Sequence, residues 1–412
     1  MIRQFLAIAV AFSLMPFWTK KKLGFGPMLI ITGIILSLLA GLGPQTVISN
    51  FISVFTTPST FKTIIIVVIV GMLGALMKHY GILDRIVESL KELISSQKTI
   101  ITVLPAVIGL LSVPGGASLS IPFVDRIGED MGMSGEVRSV INLSFRHISM
   151  FLLPTSTSII MVTTVLPDVN LYGLIGMNLG FVILMQLTSY FLYIRKYPDV
   201  KSGSTSENKL ISLKNLLVYL SPIYMVVVFN GVFGIEMYIS AILSLVIILL
   251  LWGIKDVKDY VVTAYKGIST STFTMLVGVY FVQNTIKSLD RVMDGFVTLF
   301  NNASGFSILM VIAFAAVLFG LTTGLSMVPL GIILPMVNNL PLTPNVKLVY
   351  CFFIYIWSFL GYFFSPLHMC QLLTVKHVGC GNGPVYKEYS KLIPCLAVYS
   401  FVLFYLYMFL FA

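Results

Sequence analysis

Arg146 and His147 stand together inside an apolar segment, two helical turns before Pro154. An arginine at that depth normally faces a cavity or a partner, because leaving its charge in hydrocarbon is costly. Its planar guanidinium forks onto carboxylate or phosphate oxygens, which makes Arg146 a candidate anion-binding group. The structural alternatives are an ion pair with Asp125 or a snorkel to the membrane surface. Pro154-Thr155-Ser156-Thr157-Ser158 reads as a helix break followed by a newly capped helix, whose free N–H groups and hydroxyls suit an anion. Ser365-Pro366-Leu367-His368 reads as a second such break. A proline kink serving packing alone is the competing reading of each. His147 and His368 beside these breaks suit either hydrogen-bonded packing or binding of a solute or a proton.

Two glycine-rich interruptions complete the constellation. Ser112-Val113-Pro114-Gly115-Gly116-Ala117-Ser118 and Gly320-Leu321-Thr322-Thr323-Gly324-Leu325-Ser326 each divide a hydrophobic stretch into arms. In the first case neither arm reaches the 20 or so residues of a full span. Both read as re-entrant helical hairpins, whose bare backbone survives at depth only beside protein or a watery cavity. The candidate solute-binding set is Gly115, Gly116, Ser118, Arg146, His147, Thr155, Ser156, Thr323, Ser326, Ser365 and His368. Ser112, Ser118, Thr322, Thr323 and Gly324 form a candidate Na⁺ set made of neutral oxygens, because no acidic residue stands at either tip.

Composition removes other chemistries. Of 412 residues, 57% are hydrophobic and 10% charged, and the mean hydropathy is +0.97, which describes a polytopic all-α membrane protein. The net charge of +10 lies in loops between spans, where the positive-inside rule accounts for it, so no nucleic-acid partner is expected. Cys351, Cys370, Cys380 and Cys395 show no C-x-x-C pair, and His79, His147, His368 and His377 show no zinc spacing. Neither a disulfide framework, a structural metal nor a cofactor is expected. Nor is an enzyme, which would need a nucleophile, base or metal cluster converging at one depth. Asp125, Glu129 and Asp130 read as solvated. The apolar run from Phe5 to Phe17 reads as a retained first span, not a signal peptide.

The elements that must position these groups come in two halves. Leu83-Asp84-Arg85-Ile86-Val87-Glu88 answers Leu289-Asp290-Arg291-Val292-Met293-Asp294; Gly116-Ala117-Ser118 answers Gly324-Leu325-Ser326; Pro154 answers Pro366, all at nearly one offset. Such recurrence predicts a duplication. The first repeat covers 1–194: scaffold spans within 1–80, an interfacial helix at 82–95, a hairpin at 99–128, a broken helix at 139–166 and a span at 171–194. Within it, Pro44 to Thr60 reads as a loop free of basic residues. A cytoplasmic linker, 195–213, leads to the second repeat, 214–412: scaffold spans in 214–286, an interfacial helix at 288–300, a hairpin at 305–338, a broken helix at 346–375 and a span at 392–411. With the N-terminus outside, most of the 26 lysines and arginines fall on the inner side. Each half then has five spans, so the second is inverted, both termini lie outside, and the hairpins approach from opposite faces.

Ser-Val-Pro-Gly-Gly-Ala-Ser, Phe145-Arg146-His147 and Ser365-Pro366-Leu367-His368, set in two such halves, resemble the ion transporter superfamily of secondary carriers. That group includes divalent-anion/sodium symporters, gluconate permeases and arsenite carriers; the likeness is greatest to its uncharacterised ten-span branch and covers nearly the whole chain. The resemblance implies an elevator, with a transport domain of roughly 99–194 plus 305–412 sliding against a scaffold that mediates a homodimer. It also implies a multi-pass protein of a prokaryotic cytoplasmic membrane. The hairpin tips lack the asparagine of the dicarboxylate symporters' Ser-Asn-Thr motifs, so dicarboxylate specificity and sodium coupling do not carry over. The expected function is secondary active transport of a small anion, an organic carboxylate by preference, coupled to Na⁺ or H⁺. The alternatives are a translocator of a phosphate-bearing lipid or of an inorganic oxyanion, and a channel.

Overall fold

The computed structural model describes residues 2–411 except 21–22, 111–116, 200–207, 254, 293, 296–297, 299–304 and 339, and omits the side chains of 2, 16, 19–20, 25 and 117–119. All regular structure among these residues is helical. The first half runs α1 (Ile2–Ser13), α2 (Met15–Lys20), α3 (Phe25–Ala40), α4 (Pro44–Thr56), α5 (Pro58–His79), α6 (Ile82–Leu93), α7 (Gln97–Gly109), α8 (Ala117–Asp130), α9 (Gly135–Arg146), α10 (Ile148–Leu152), α11 (Thr157–Val165) and α12 (Leu171–Tyr193). The second runs α13 (Lys209–Gly231), α14 (Met237–Ile248), α15 (Val257–Lys266), α16 (Thr270–Lys287), α17 (Gly305–Thr323), α18 (Met327–Asn338), α19 (Pro344–Phe363), α20 (Met369–Val378) and α21 (Asn382–Phe411).

Among the described residues, seven helical segments are long and apolar enough to cross a membrane: Pro58–His79, Gly135–Val165 with its breaks, Leu171–Tyr193, Lys209–Gly231, Gly305–Thr323, Pro344–Phe363 and Asn382–Phe411. The run Ile64-Ile65-Ile66-Val67-Val68-Ile69-Val70 in α5 has strand propensity, yet it is helical. In hydrocarbon the backbone must satisfy itself within the segment, and that requirement outweighs the preference of β-branched side chains. On α12, Leu179, Ile183, Leu187 and Phe191 are 45–56% exposed at a strict four-residue spacing, while Asn178, Phe181, Val182 and Met185 are buried. One face is therefore left to lipid and the other packs inward. The chain is an all-helical integral membrane protein.

Two stretches differ from the sequence-based expectation, and the first arm of the second hairpin, Gly305–Thr323, is by length and composition able to cross a membrane on its own. Pro44 to Thr60, read as a loop, contains α4. Pro44 occupies its first turn, where a missing N–H costs nothing, and Val47, Asn50 and Val54 recur at helical spacing on the better-covered side. Helix α13 begins at Lys209, inside the stretch read as linker, with Asn208 capping the Ile211 amide. Residues 288–300 lie partly outside the described residues.

Helix α6 keeps Asp84, Arg85 and Glu88 exposed and buries Ile82, Ile86, Val87 and Leu90. That stripe joins a satellite core with Leu104 of α7, Leu216 of α13, Ala241 and Ile248. The larger core lies around α9, α12 and α19, where Phe151, Phe181, Phe352, Phe353 and Phe359 are fully enclosed. Helices α7 and α8 pack side by side, as do α17 and α18.

Candidate functional site

Both prolines break their helices, and the carbonyls around each break find donors outside the regular helical pattern. Pro154 has no N–H to offer the Met150 carbonyl four residues back. Tyr355 Oη of α19 donates to that oxygen instead. The next carbonyl, Phe151, accepts from Asn178 Nδ2 of α12 at 3.2 Å. At the second break, Phe363 O accepts from His368 Nδ1 at 3.1 Å and Phe364 O from Tyr386 Oη at 3.2 Å. Buried backbone polar groups are rarely left without partners, so these side chains are what allow the chain to unwind there. New helices then start at Thr157 and at Met369.

The tip of the second hairpin is seated on the second break. Gly324 has φ 64°, and a Cβ there would lie 2.8 Å from Leu367 O. Ser365 Oγ donates to Leu321 O at 2.6 Å. From the other side, Ser326 Oγ lies 2.7 Å from Ser158 Oγ in the first turn of α11. The tip is thus tied to both breaks. At the first hairpin, Gly109 closes α7 against α9, since a Cβ would fall 2.2 Å from the Arg146 carbonyl oxygen.

Between these elements lies a cavity of about 610 Å³. Arg146 and His147 line it at the end of α9, Thr155, Ser156 and Thr157 at the start of α11, Gly324, Leu325 and Ser326 at the hairpin tip, and Met369 and Cys370 at the start of α20. Its opposite wall is α5, through Val67, Gly71 and Gly74, with Ser271, Thr272 and Leu276 of α16. Exposed Lys78 also borders it, one end of the cavity reaching the end of α5. Two helix N-termini, whose first amides have no partner within the helix, therefore border the same space as Arg146. Arg146 is only 6% exposed. Asp125, its alternative partner on sequence grounds, is held by Arg138 Nη1 at 3.0 Å and lies near His377.

Of the candidate solute-binding residues, Arg146, His147, Thr155, Ser156 and Ser326 border this cavity, as does Gly324 from the Na⁺ set. Thr323 and Ser365 are buried beside it; Thr323 Oγ1 donates to Phe319 O at 2.6 Å. Thr322 Oγ1 is turned back on its own helix, donating to Leu318 O at 2.8 Å. His368 is fully buried one layer behind, its ring centroid 5.0 Å from that of His147. Ser112, Gly115, Gly116 and the side chain of Ser118 lie outside the described residues. Gly109, Tyr362 and Cys370 border the cavity as well, although the sequence alone does not single them out. Tyr362 stands four residues before Pro366, the position whose carbonyl the proline releases, and that spacing is the one signal that points to it.

A buried arginine bordering a cavity between interrupted helices marks the candidate site of this integral membrane protein. The chain belongs to the family described as Protein of unknown function (DUF401), whose profile matches residues 4–408. No curated protein matches it.

Proposed function

We propose that the protein is a secondary active transporter that binds a small anion, preferably an organic carboxylate, in the cavity beside Arg146. What carries this reading is the convergence on one cavity of a buried guanidinium, the N-termini of α11 and α20, and the Ser326 hydroxyl. Arg146 would take two oxygens of the solute, while the first amides of α11 and the hydroxyls of Thr155 and Ser156 take others. A space of about 610 Å³ suits a small organic anion, being within the range of ordinary ligand sites. The two inverted halves, the elevator movement of 99–194 plus 305–412, and the homodimer are parts of the same proposal. In it the cavity wall from α5 and α16 belongs to the scaffold and the rest travels. The arrangement with Lys78 at the mouth corresponds to the state open to the cytoplasm. Thr322, Thr323, Gly324 and the first hairpin tip would hold Na⁺; His147 or His368 would carry H⁺ if protons drive transport instead.

The test is a panel of mono- and dicarboxylates, phosphate, arsenite and a short-chain phospholipid, each added to purified protein with and without Na⁺ at two pH values. A ligand raises the melting temperature by binding the folded state. A rise with a water-soluble carboxylate that disappears in Arg146→Ala supports the proposal. A response to the lipid alone, to phosphate or arsenite alone, or an unchanged response in Arg146→Ala overturns it.

A further inference from the structure

The fold brings together three metal-ligating side chains that are scattered in sequence. One nitrogen each of His147 and His368 and the Cys370 Sγ lie within 4.8 Å of one another. His147 Nδ1 lies 2.6 Å from Leu143 O, and His368 Nδ1 lies 3.1 Å from Phe363 O. A carbonyl only accepts, so each Nδ1 carries the hydrogen and each neutral ring keeps its lone pair on Nε2. Metal-bound histidines are held in the same way, with the second ring nitrogen donating to a backbone carbonyl. His147 Nε2 has the Tyr362 hydroxyl at 3.1 Å. His368 Nε2 is buried with no hydrogen-bond partner among the described residues, in a residue that is 0% exposed. A buried acceptor without a protein donor is costly, and an ion at this point would satisfy it.

We infer that His147, His368 and Cys370 form a binding site for one Zn²⁺-class ion, with its fourth coordination position facing the cavity. Two imidazoles and a thiolate match the borderline-soft character of this ion and exclude Mg²⁺ or Ca²⁺, which take oxygen ligands. Bond lengths of about 2.0–2.3 Å put tetrahedral ligand atoms roughly 3.3–3.8 Å apart. The three side chains therefore close in by about an ångström from their 4.8 Å limit as the ion enters. Cys370 gives its thiol proton to solvent on binding, and the Tyr362 hydroxyl gives up its bond to His147 Nε2. With one thiolate bound, the divalent centre keeps a single positive charge beside Arg146. His147, Tyr362 and Cys370 all border the cavity, so the open position takes water or an anion from it. An ion held here would take His147 and His368 from the proton-carrying role and leave Na⁺ as the coupling ion of the transport proposal, while metal binding itself can be measured with no solute moving.

The experiment is titration of chelator-stripped, detergent-purified full-length protein with Co²⁺, followed by visible absorption and by competition with Zn²⁺. One equivalent of Co²⁺ per chain should bind with a thiolate-to-metal charge-transfer band, and Zn²⁺ should displace it. Cys370→Ser should remove that band, and His368→Gln should weaken binding by about tenfold to a hundredfold or more. His79→Ala/His377→Ala, which removes the two outlying histidines, should leave the titration unchanged. Failure of folded wild-type protein to bind either ion saturably overturns the inference. So does binding without the charge-transfer band, or equal affinity in folded His368→Gln; the wild-type titration decides even if both site variants misfold.

Discussion

Replacing Gly324 by alanine measures how closely the second hairpin tip sits on the second helix break. The residue has φ 64°, in the left-handed region, where an L-residue costs roughly 1–2 kcal/mol. The added methyl would also lie 2.8 Å from Leu367 O and 2.9 Å from Leu367 C, both backbone atoms that cannot rotate away. Overpacking of this kind costs about 1–3 kcal/mol. The two effects together give about 2–5 kcal/mol. Gly132 supplies the reference: its φ is 72°, and among the described residues no atom comes within 4 Å of where a methyl would stand. Gly132→Ala therefore carries only the conformational part. Denaturant unfolding of the two variants in the same detergent, followed by intrinsic fluorescence, gives the difference directly. Gly324→Ala should be the less stable by at least about 1 kcal/mol. Equal destabilisation would refute the close seating of the tip on Leu367.

Tyr355→Phe removes the donor to the carbonyl released by Pro154, and should destabilise the protein by about 1 kcal/mol, the scale of buried hydrogen bonds between membrane helices. The same unfolding assay checks it, and no change would mean that the Met150 carbonyl is otherwise satisfied. Outside the spans, Asp199 Oδ1 accepts from the Lys98 amide at 3.1 Å at the start of the first hairpin. Burial pushes its carboxyl up, but the Ser96 hydroxyl, the Lys98 amide and charge and the Gln97 amide outweigh this and hold it below the usual value. A lowered native value means that the contact's stabilisation is full above the unfolded carboxylate value of about 3.9 and is lost as pH falls below it through the native value. Hydrogen exchange at Gln97 and Lys98, corrected for intrinsic rates, should accelerate across that window. Asp199→Asn should show the faster exchange already at neutral pH, and unchanged protection in either case would contradict the linkage.

Much of the architecture is local in origin, and those parts can be read from the chain. Pro154 and Pro366 break helices because each lacks an N–H, and the long apolar runs become helices because hydrocarbon leaves the backbone no other choice. The stripe of α6 is equally local, although its burial against Leu216 and Ile248 adds a partner that the period cannot name. What cannot be read depends on distant pairs. Nothing in the spacing of Tyr355 and Asn178 says that they reach back to Met150 and Phe151. His147, His368 and Cys370 have no metal-ligand spacing, since the first lies far from the others in sequence, and only packing of α9 against α20 collects them. Pro44 to Thr60 reads as a loop for want of basic residues and because proline and polar residues begin it, yet a proline also opens helices.

Counterflow in proteoliposomes tests most directly whether a small anion is held by Arg146 and carried across the membrane from this cavity. The solute is the carboxylate that best stabilises the purified protein, labelled outside and unlabelled inside. Wild-type protein should accumulate the label transiently, and Arg146→Ala, reconstituted to the same density and with the same melting behaviour, should show none. Absence of counterflow in the wild type, or an unchanged rate in Arg146→Ala, would contradict it.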